Sequence, residues 1–502
     1  MKSNSQQSTT TPTPAPKPIP ILTVEPQYGG VLRIADTYVL PPKMGVPGRQ
    51  NVGAPSLDPI LEHFLRVDRT GRMVPHLIES WEYGRDGLQL ALHVRKGVKF
   101  HDGTDLNAKA AKWNLLKARE FKGTLKVISS IDTIDEYTIL LNMISYDNTF
   151  LPNLAFSSGF VHSPTAYETY GEEYVMVNPV GTGPFKFVSY EPDINIMAER
   201  FDDYWQDGKP YLDKIEIRYA KDMNTAVNML RSGKVDAAVN INGKSAVALK
   251  SEGYVVTALP WTMEGLLPDS LNRDSPLADK RVRQAIEYAI DRPAIVDALG
   301  HGYWLALNQL ATETVYGYNP DIGGRPYNPD KAKQLLTEAG YPDGFKTKII
   351  GGEGTELPKI FAAIQAYLAD VGIEADIEIP DAALWKEYRA DKPWHNSLLF
   401  RHFATEPNFS WTMFGFHSNR EYGQTSVLRN FDNIIDEALQ ARDYESMVKT
   451  TQRVVKHLFD EAIVIPIMVD TSIVATSDKV HDLGYFKVHI KSWTPWNTWI
   501  ER

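Results

Sequence analysis

Two hydrophobic rhythms alternate along this chain. In one, apolar residues recur at every second position: Leu88, Leu90, Leu92 and Val94 share a face, as a half-buried strand requires. Similar strand-like runs fall at residues 28–35, 138–143, 185–190, 215–219 and 373–379. In the other, apolar residues recur every third or fourth position, as on a helix. Val282, Ala285, Ile286, Ala289 and Ile290 lie on one side of a helix that Asp279 can cap. Asp291 and Pro293 restart a helix that Gly300 stops. Asn328 and Pro329 begin another, with Ala332, Leu335, Leu336 and Ala339 inward and Gly340 at its end. Asn224 is expected to cap a helix carrying Val227 and Leu230 and ending at Gly233. Ile360, Phe361, Ile364 and Leu368 mark a further helix, and Val448, Thr451, Val454, Val455, Leu458 and Phe459 a long one near the C-terminus. The mixture predicts an α/β protein without solenoid repeats.

Length and composition narrow this. The 502 residues exceed what one core holds and imply two or three domains. A 43% apolar and 23% charged content is that of a soluble globular protein. The net charge of −10 argues against nucleic acid or an anionic membrane as the main partner. Without cysteine, disulfides, cysteine–zinc sites and thiol nucleophiles are excluded. No stretch reaches the length of a membrane-spanning helix; the best candidate, residues 462–469, is strand-length and contains Pro466. Residues 1–27 are rich in Thr and Pro, cannot bury a core, and read as a disordered tether. No export signal stands before them, so the expectation is a precursor with a signal peptide and a lipidated Cys upstream.

Catalytic patterns are sparse. There is no helical pair of zinc-binding histidines and no Gly-x-Ser-x-Gly elbow. Gly243, Lys244 and Ser245 resemble the end of a phosphate-binding loop, but Ala238 stands where its first glycine belongs. His395, His402 and His417 share a short stretch with Trp394 and Trp411; they read as scattered loop histidines, and no metal or cofactor is predicted. Carboxylates are too numerous to pair from sequence, which leaves a secreted hydrolase with a carboxylate pair as a rival. Trp261, Trp394 and Trp411 lie in turn-rich segments, either as walls of a ligand cavity or as core. Trp493, Trp496 and Trp499 are expected to anchor the C-terminal segment on a core, and residues 181–184, Gly-Thr-Gly-Pro, to form a tight turn.

Several long segments, in order, carry a resemblance. Residues 74–114 contain Arg-Lys-Gly-Val-Lys-Phe-His-Asp-Gly-Thr, and residues 179–187 read Pro-Val-Gly-Thr-Gly-Pro-Phe-Lys-Phe. Residues 200–215, 232–236, 279–292 and 327–341 continue the likeness. Together they resemble the bacterial extracellular solute-binding proteins of the peptide/nickel/opine class, family 5, capture subunits of ABC importers. The resemblance implies the large two-lobed periplasmic-binding-protein fold with an extra subdomain. Lobe 1 would take residues 28–50, 178–266 and 471–502, the extra subdomain 51–177, and lobe 2 267–470. The hinge crossings would fall near 267–272 and 466–471. It implies no bond chemistry, a small ligand (oligopeptide-like, or alternatively an opine, oligosaccharide or metal chelate), permease subunits as partners, and a monomer on the extracellular face of the membrane or in the periplasm.

One departure bears on the ligand. Peptide-binding members often carry, a few residues before an Asp-Pro pair, an Asp that holds the peptide ammonium. Here Glu406 and Pro407 resemble the pair, while Phe403 or Ala404 replaces the Asp. A buried ammonium without a partner costs several kcal/mol, which weakens a plain peptide assignment. Arg401 is placed to meet either a ligand carboxylate or phosphate, or a structural carboxylate. The candidate ligand-binding residues are Trp261, Glu264, Trp394, Arg401, His402, Phe403 and Trp411.

Overall fold

The computed structural model describes residues 25–37, 43–49, 55–68, 72–352, 354, 356–390, 394–405, 409, 412–413, 416, 428–484 and 493–502. Strand β1 (Val31–Asp36) lies inside a large sheet. The chain then leaves that sheet to build a separate antiparallel one from β2 (Ile78–Tyr83), β3 (Gln89–Val94), β4 (Ile128–Thr133) and β5 (Thr138–Met143). Helix α1 (Ala108–Arg119) covers it. Asn107 caps this helix by accepting from the Lys109 and Ala110 amides, and Ala111 and Leu115 pack on Leu90, Leu92, Ile139 and Leu141.

The chain returns through β6 (Phe185–Glu191), β7 (Asn195–Arg200), β8 (Lys214–Tyr219), α2 (Met223–Arg231), β9 (Ala237–Val239) and α3 (Gly243–Ser251). After β10 (Val255–Pro268) come α4 (Lys280–Ala289), α5 (Arg292–Leu299), α6 (Pro329–Glu338), β11 (Phe345–Ile350) and α7 (Leu357–Ala369). β12 (Ile373–Glu378), β13 (Ser397–Ala404), α8 (Leu428–Gln440), α9 (Tyr444–Asp460) and β14 (Ile465–Thr476) follow.

Among the described residues the large sheet runs β12-β11-β13-β10-β14-β9-β1-β8-β7-β6. β10 and β14 are its long central pair, antiparallel from Val255 opposite Thr476 to Leu266 opposite Ile465. One end of β14 also pairs with β9, and the far end of β10 pairs with β13. The two strands therefore tie both halves of the sheet together. Each half carries apolar cores on its faces: α2 and α3 pack on one half, α4 to α7 and α9 on the other. This is the expected α/β class.

Most helix boundaries follow local chemistry. Asp279, Asp291 and Asn328 cap α4, α5 and α6 as their sequences require. The cap of α2 differs from expectation. It is Asp222, which accepts from the Thr225 amide at 2.8 Å, and Asn224 lies inside the first turn. The apolar run at 462–469 enters β14 only at Ile465. Pro466 is tolerated inside the sheet because a register shift between Glu264 and Gly265 sits opposite it, relieving the ladder where the proline lacks a donor.

The Gly-Thr-Gly-Pro turn is a packing device. A Cβ on Gly181 would stand 2.3 Å from the Ile60 carbonyl oxygen, and one on Gly183 2.4 Å from that of Pro59. Between these glycines, the Thr182 hydroxyl donates to fully buried Glu62 at 2.9 Å. Glu62 also accepts from Tyr204 Oη at 2.8 Å and Trp205 Nε1 at 3.1 Å, and lies 3.0 Å from His76 Nε2. Asp58, nearby, accepts from the Trp493 amide at 2.5 Å, and burial pushes its carboxyl up to about 8. Trp493, Trp496 and Trp499 are buried as expected, with the Arg66 guanidinium 4.5 Å over the Trp496 ring.

Candidate ligand-binding site

A cavity of about 360 Å³ opens beside the central strand pair. One wall comes from Asn240 to Lys244, at the start of α3. The opposite wall comes from Leu299, His301 and Trp304 after α5, and from Glu356, Leu357, Lys359 and Ile360 at the start of α7. Its floor is made by β10, β13 and β14.

Strand register explains which side chains reach that floor. Glu264 of β10 pairs directly with His402 of β13 and with Met468 of β14. Asp470 is two residues beyond Met468, so it emerges on the same face as Glu264, one step diagonally. Trp261 falls at the register shift between Pro260 and Thr262, where a bulge can re-aim a side chain toward the cavity. Its carbonyl accepts from Thr405 Oγ1 at 2.8 Å.

The floor is acidic and only partly sheltered. Glu264 is 3% exposed. Its Oε1 accepts from Thr262 Oγ1 at 2.6 Å, and its Oε2 lies 2.5 Å from His402 Nδ1. The His402 side chain is half exposed, at 51%. The Asp470 carboxyl is pushed up to about 6, first by burial and then by Glu264, while Trp304, His402 and the Thr471 amide act in the opposite sense.

Of the seven sequence candidates, the cavity brings together Trp261, Glu264 and His402. Arg401 and Phe403 flank His402 on a strand, so they point to the other face. There both are buried, and Phe403 is stacked on Phe416 with ring centroids 6.3 Å apart. Three consecutive residues of one strand cannot line one cavity wall, and Arg401 and Phe403 are not among the residues lining this one. Trp394 is likewise in the core, packed with Tyr388, Leu399 and Phe409. Trp411, His417, Glu406 and Pro407 lie outside the described residues. His395 is exposed, and no group of three metal-ligating side chains occurs among the described residues. Asp470, Trp304 and Lys244 were missed as site residues. Lys244 alone had a sequence signal, the loop-like Gly-Lys-Ser, which lies at the mouth of α3.

A second contact joins the four-stranded-sheet body to the far half of the molecule. Asn148 Nδ2 donates to the Ala438 and Ala441 carbonyls at 2.6 and 3.1 Å, and Gln440 Nε2 to that of Tyr146 at 2.7 Å. Arg442 donates to the Arg85 and Asp86 carbonyls at 2.9 and 2.7 Å. No helix among the described residues is long and apolar enough to cross a membrane.

Comparison with known proteins agrees with this architecture. A family model for bacterial extracellular solute-binding proteins, family 5 (middle), matches residues 72–422. The glutathione-binding protein GsiB of Shigella flexneri is 29% identical over 442 residues, covering 82% of this chain and 83% of that protein. Among solved structures, DppA of Helicobacter pylori in complex with peptide STSA superposes with a TM-score of 0.76 at 24% identity, covering 95% of this chain and 99% of that one. NikA of Brucella suis in complex with Fe(III)-EDTA gives 0.81 at 19% identity, covering 94% and 100%. The last two show the shared fold.

Proposed function

From the premise that this chain belongs to family 5 of the bacterial extracellular solute-binding proteins of ABC importers, we propose that it captures a small peptide-like solute in the cavity beside β10 and β14. The carrying observation is that this cavity draws its walls from both halves of the large sheet, with the central strand pair as floor. A ligand there touches both halves only when they are together, so binding energy favours the closed arrangement. A micromolar ligand supplies about 8 kcal/mol, enough to hold such a molecule closed for a permease to read.

The reading divides the chain into lobe 1 (28–50, 178–266 and 471–502), an extra subdomain (51–177) and lobe 2 (267–470). The separate core of the four-stranded sheet and the shared position of β10 and β14 support it. The acids of the cavity floor bind rather than cut; the relatives' names speak of binding, and turnover of a candidate ester or glycoside would argue for the hydrolase instead. The Thr/Pro composition of residues 1–27 supports a tether to a lipid anchor, which intact mass of the membrane-extracted protein would test.

The name of the GsiB relative makes glutathione the first compound to try, beside short peptides, opines and metal chelates. In a thermal-shift screen a true ligand at a hundredfold its Kd adds about 2.7 kcal/mol of stability and raises the midpoint. A midpoint unmoved by the whole panel would sink the receptor reading.

A further inference from the structure

A second cavity, of about 280 Å³, opens where the four-stranded-sheet body meets the far half of the molecule. It shares no lining residue with the cavity beside β10 and β14. Each body brings an edge-to-face pair of tyrosines to its lining. Tyr83 and Tyr146 come from the first, with ring centroids 5.4 Å apart, and Tyr316 and Tyr444 from the second, 5.2 Å apart. Each body also sends an arginine across the seam onto a ring of the other. The Arg72 guanidinium lies 4.4 Å over Tyr444, and that of Arg442 5.1 Å over Tyr146. Arg442 donates to the Arg85 and Asp86 carbonyls, and neither arginine is ion-paired to a carboxylate among the described residues. Two acids, Asp147 beside Tyr83 and Asp68 beside Tyr316, act on those phenols but are not on the lining. Trp81 and the thioethers of Met73, Met413 and Met447 complete the apolar walls. Flat rings, pliable thioethers and a few placed charges are the make-up of a small-molecule site, and here the placed charges are both positive. An apolar cavity of about 150 Å³ admits benzene, so one nearly twice as large admits two fused rings.

We propose that this seam cavity is a second ligand site, which takes a flat two-ring aromatic acid between the tyrosine pairs with its carboxylate at Arg72 and Arg442. A guanidinium that rests on a ring face keeps its N–H edge for a carboxylate, so the stacking and the charge contact do not compete. A molecule seated there touches both bodies at once, beside the Asn148 and Arg442 hydrogen bonds that already join them. It favours the arrangement in which the two bodies meet, and so acts as a clamp. A solute in the first cavity that favours the same arrangement gains affinity by the factor it lends in return. The seam site itself stands whatever the first cavity takes, because the two are lined by different residues.

The test titrates three probes calorimetrically into the full chain with no other solute: 2-naphthoate, its neutral amide 2-naphthamide, and octanoate, an anion without rings. Naphthoate should saturate a single site and bind about fivefold or more tighter than naphthamide, each exposed cation contributing a few-fold. Octanoate, with no ring to stack, should bind more weakly than naphthoate. Arg72→Gln, an exposed change outside the seam hydrogen bonds, should cut the naphthoate-to-naphthamide ratio about threefold while leaving the amide's own affinity in place. Met447→Trp, which puts an indole into the space, should weaken naphthoate about tenfold or more. The clamp is read by hydrogen exchange at the Asn148 amide, which donates across the seam to the Leu439 carbonyl at 3.0 Å. At ten times its Kd naphthoate should slow that exchange about tenfold. No saturable binding, equal binding of acid and amide, or binding that neither substitution alters overturns the site. Exchange at Asn148 that saturating naphthoate leaves unchanged overturns the clamp. None of these readouts involves the first cavity, so each failure leaves the receptor reading to its own ligand screen.

Discussion

Two Glu–His pairs in this molecule have nearly the same chemistry and opposite surroundings. Glu62 lies 3.0 Å from His76, with side-chain exposures of 0% and 5%. Glu264 lies 2.5 Å from His402, with exposures of 3% and 51%. At the first pair, Thr182, Tyr204 and Trp205 also donate to the carboxylate, and the segments 58–66, 181–184 and 493–496 close over it. At the second, among the described residues only Thr262 donates to the carboxylate besides the His402 contact, and one side is open to a cavity. A second acid accompanies each: Asp58 in the sealed cluster, pushed up to about 8, and Asp470 in the cavity, pushed up to about 6. The residue types alone do not separate a structural clasp from a cavity lining; access to open space does.

The largest effect should come from Glu62→Ala. It leaves the Tyr204, Trp205 and Thr182 donors unanswered in a sealed site, and breaking such a buried cluster costs about 3–5 kcal/mol. Glu264→Ala frees only Thr262 and a half-exposed His402, both able to turn to the cavity, for about 1 kcal/mol. Urea unfolding of the two variants would measure the gap; equal losses would erase the distinction.

Next is movement. If the cleft opens and the Glu62 cluster does not, the contacts across the cleft must break. Asn148→Ala removes two hydrogen bonds to the Ala438 and Ala441 carbonyls, about 1–2 kcal/mol together. Small-angle scattering of the ligand-free variant should show a larger radius of gyration. An unchanged radius would mean this seam does not hold the molecule shut.

The two raised acids predict different pH responses. Asp58 keeps its proton in the folded state up to about 8, whereas the unfolded chain loses it near 4, so its contribution to stability falls as pH rises through that window. Asp58→Asn should flatten that slope in pH-dependent denaturation. Asp470 does the same over the narrower window from near 4 to about 6, and its charged form is the one that binds a cation. Affinity for an amine ligand should thus rise with pH through about 6, with Glu264, His402, His301, Lys244 and the Glu356–Lys359 pair facing the same space. A flat affinity from pH 5 to 7 would remove Asp470 from the site. The smallest effect is that of Lys244→Gln, an exposed charge worth up to about 1 kcal/mol, or roughly fivefold in Kd for a carboxylate-bearing ligand. An amidated ligand should not sense the change.

Much of the fold was legible in the chain. Caps at Asp279, Asp291 and Asn328, the period of two at Leu90, Leu92 and Val94 (though Leu88 falls before the strand and is exposed), and the long helix at 444–460 are local decisions, made by neighbours within four or five residues. The run of motifs likewise gave the family. Local signals also misled. Trp394, in a turn-rich segment, is core, because a turn can carry an indole inward as readily as outward. Grouping Arg401, His402 and Phe403 neglected the alternation of the strand on which they sit.

What no local pattern contains is convergence. Glu264, His402 and Asp470 meet because β10 pairs with β13 on one side and β14 on the other in a given register, and a slip of one residue would turn each away. Glu62, His76, Thr182 and Tyr204 meet for the same kind of reason, across two glycines that let backbones approach. The sequence by itself determined which segments are helix or strand, because that follows from short-range sterics and solvation, and its ordered motifs carried the resemblance to the family. Only the tertiary structure decided which acid is sealed and which faces an open cavity, because burial and pairing depend on residues far apart in the chain.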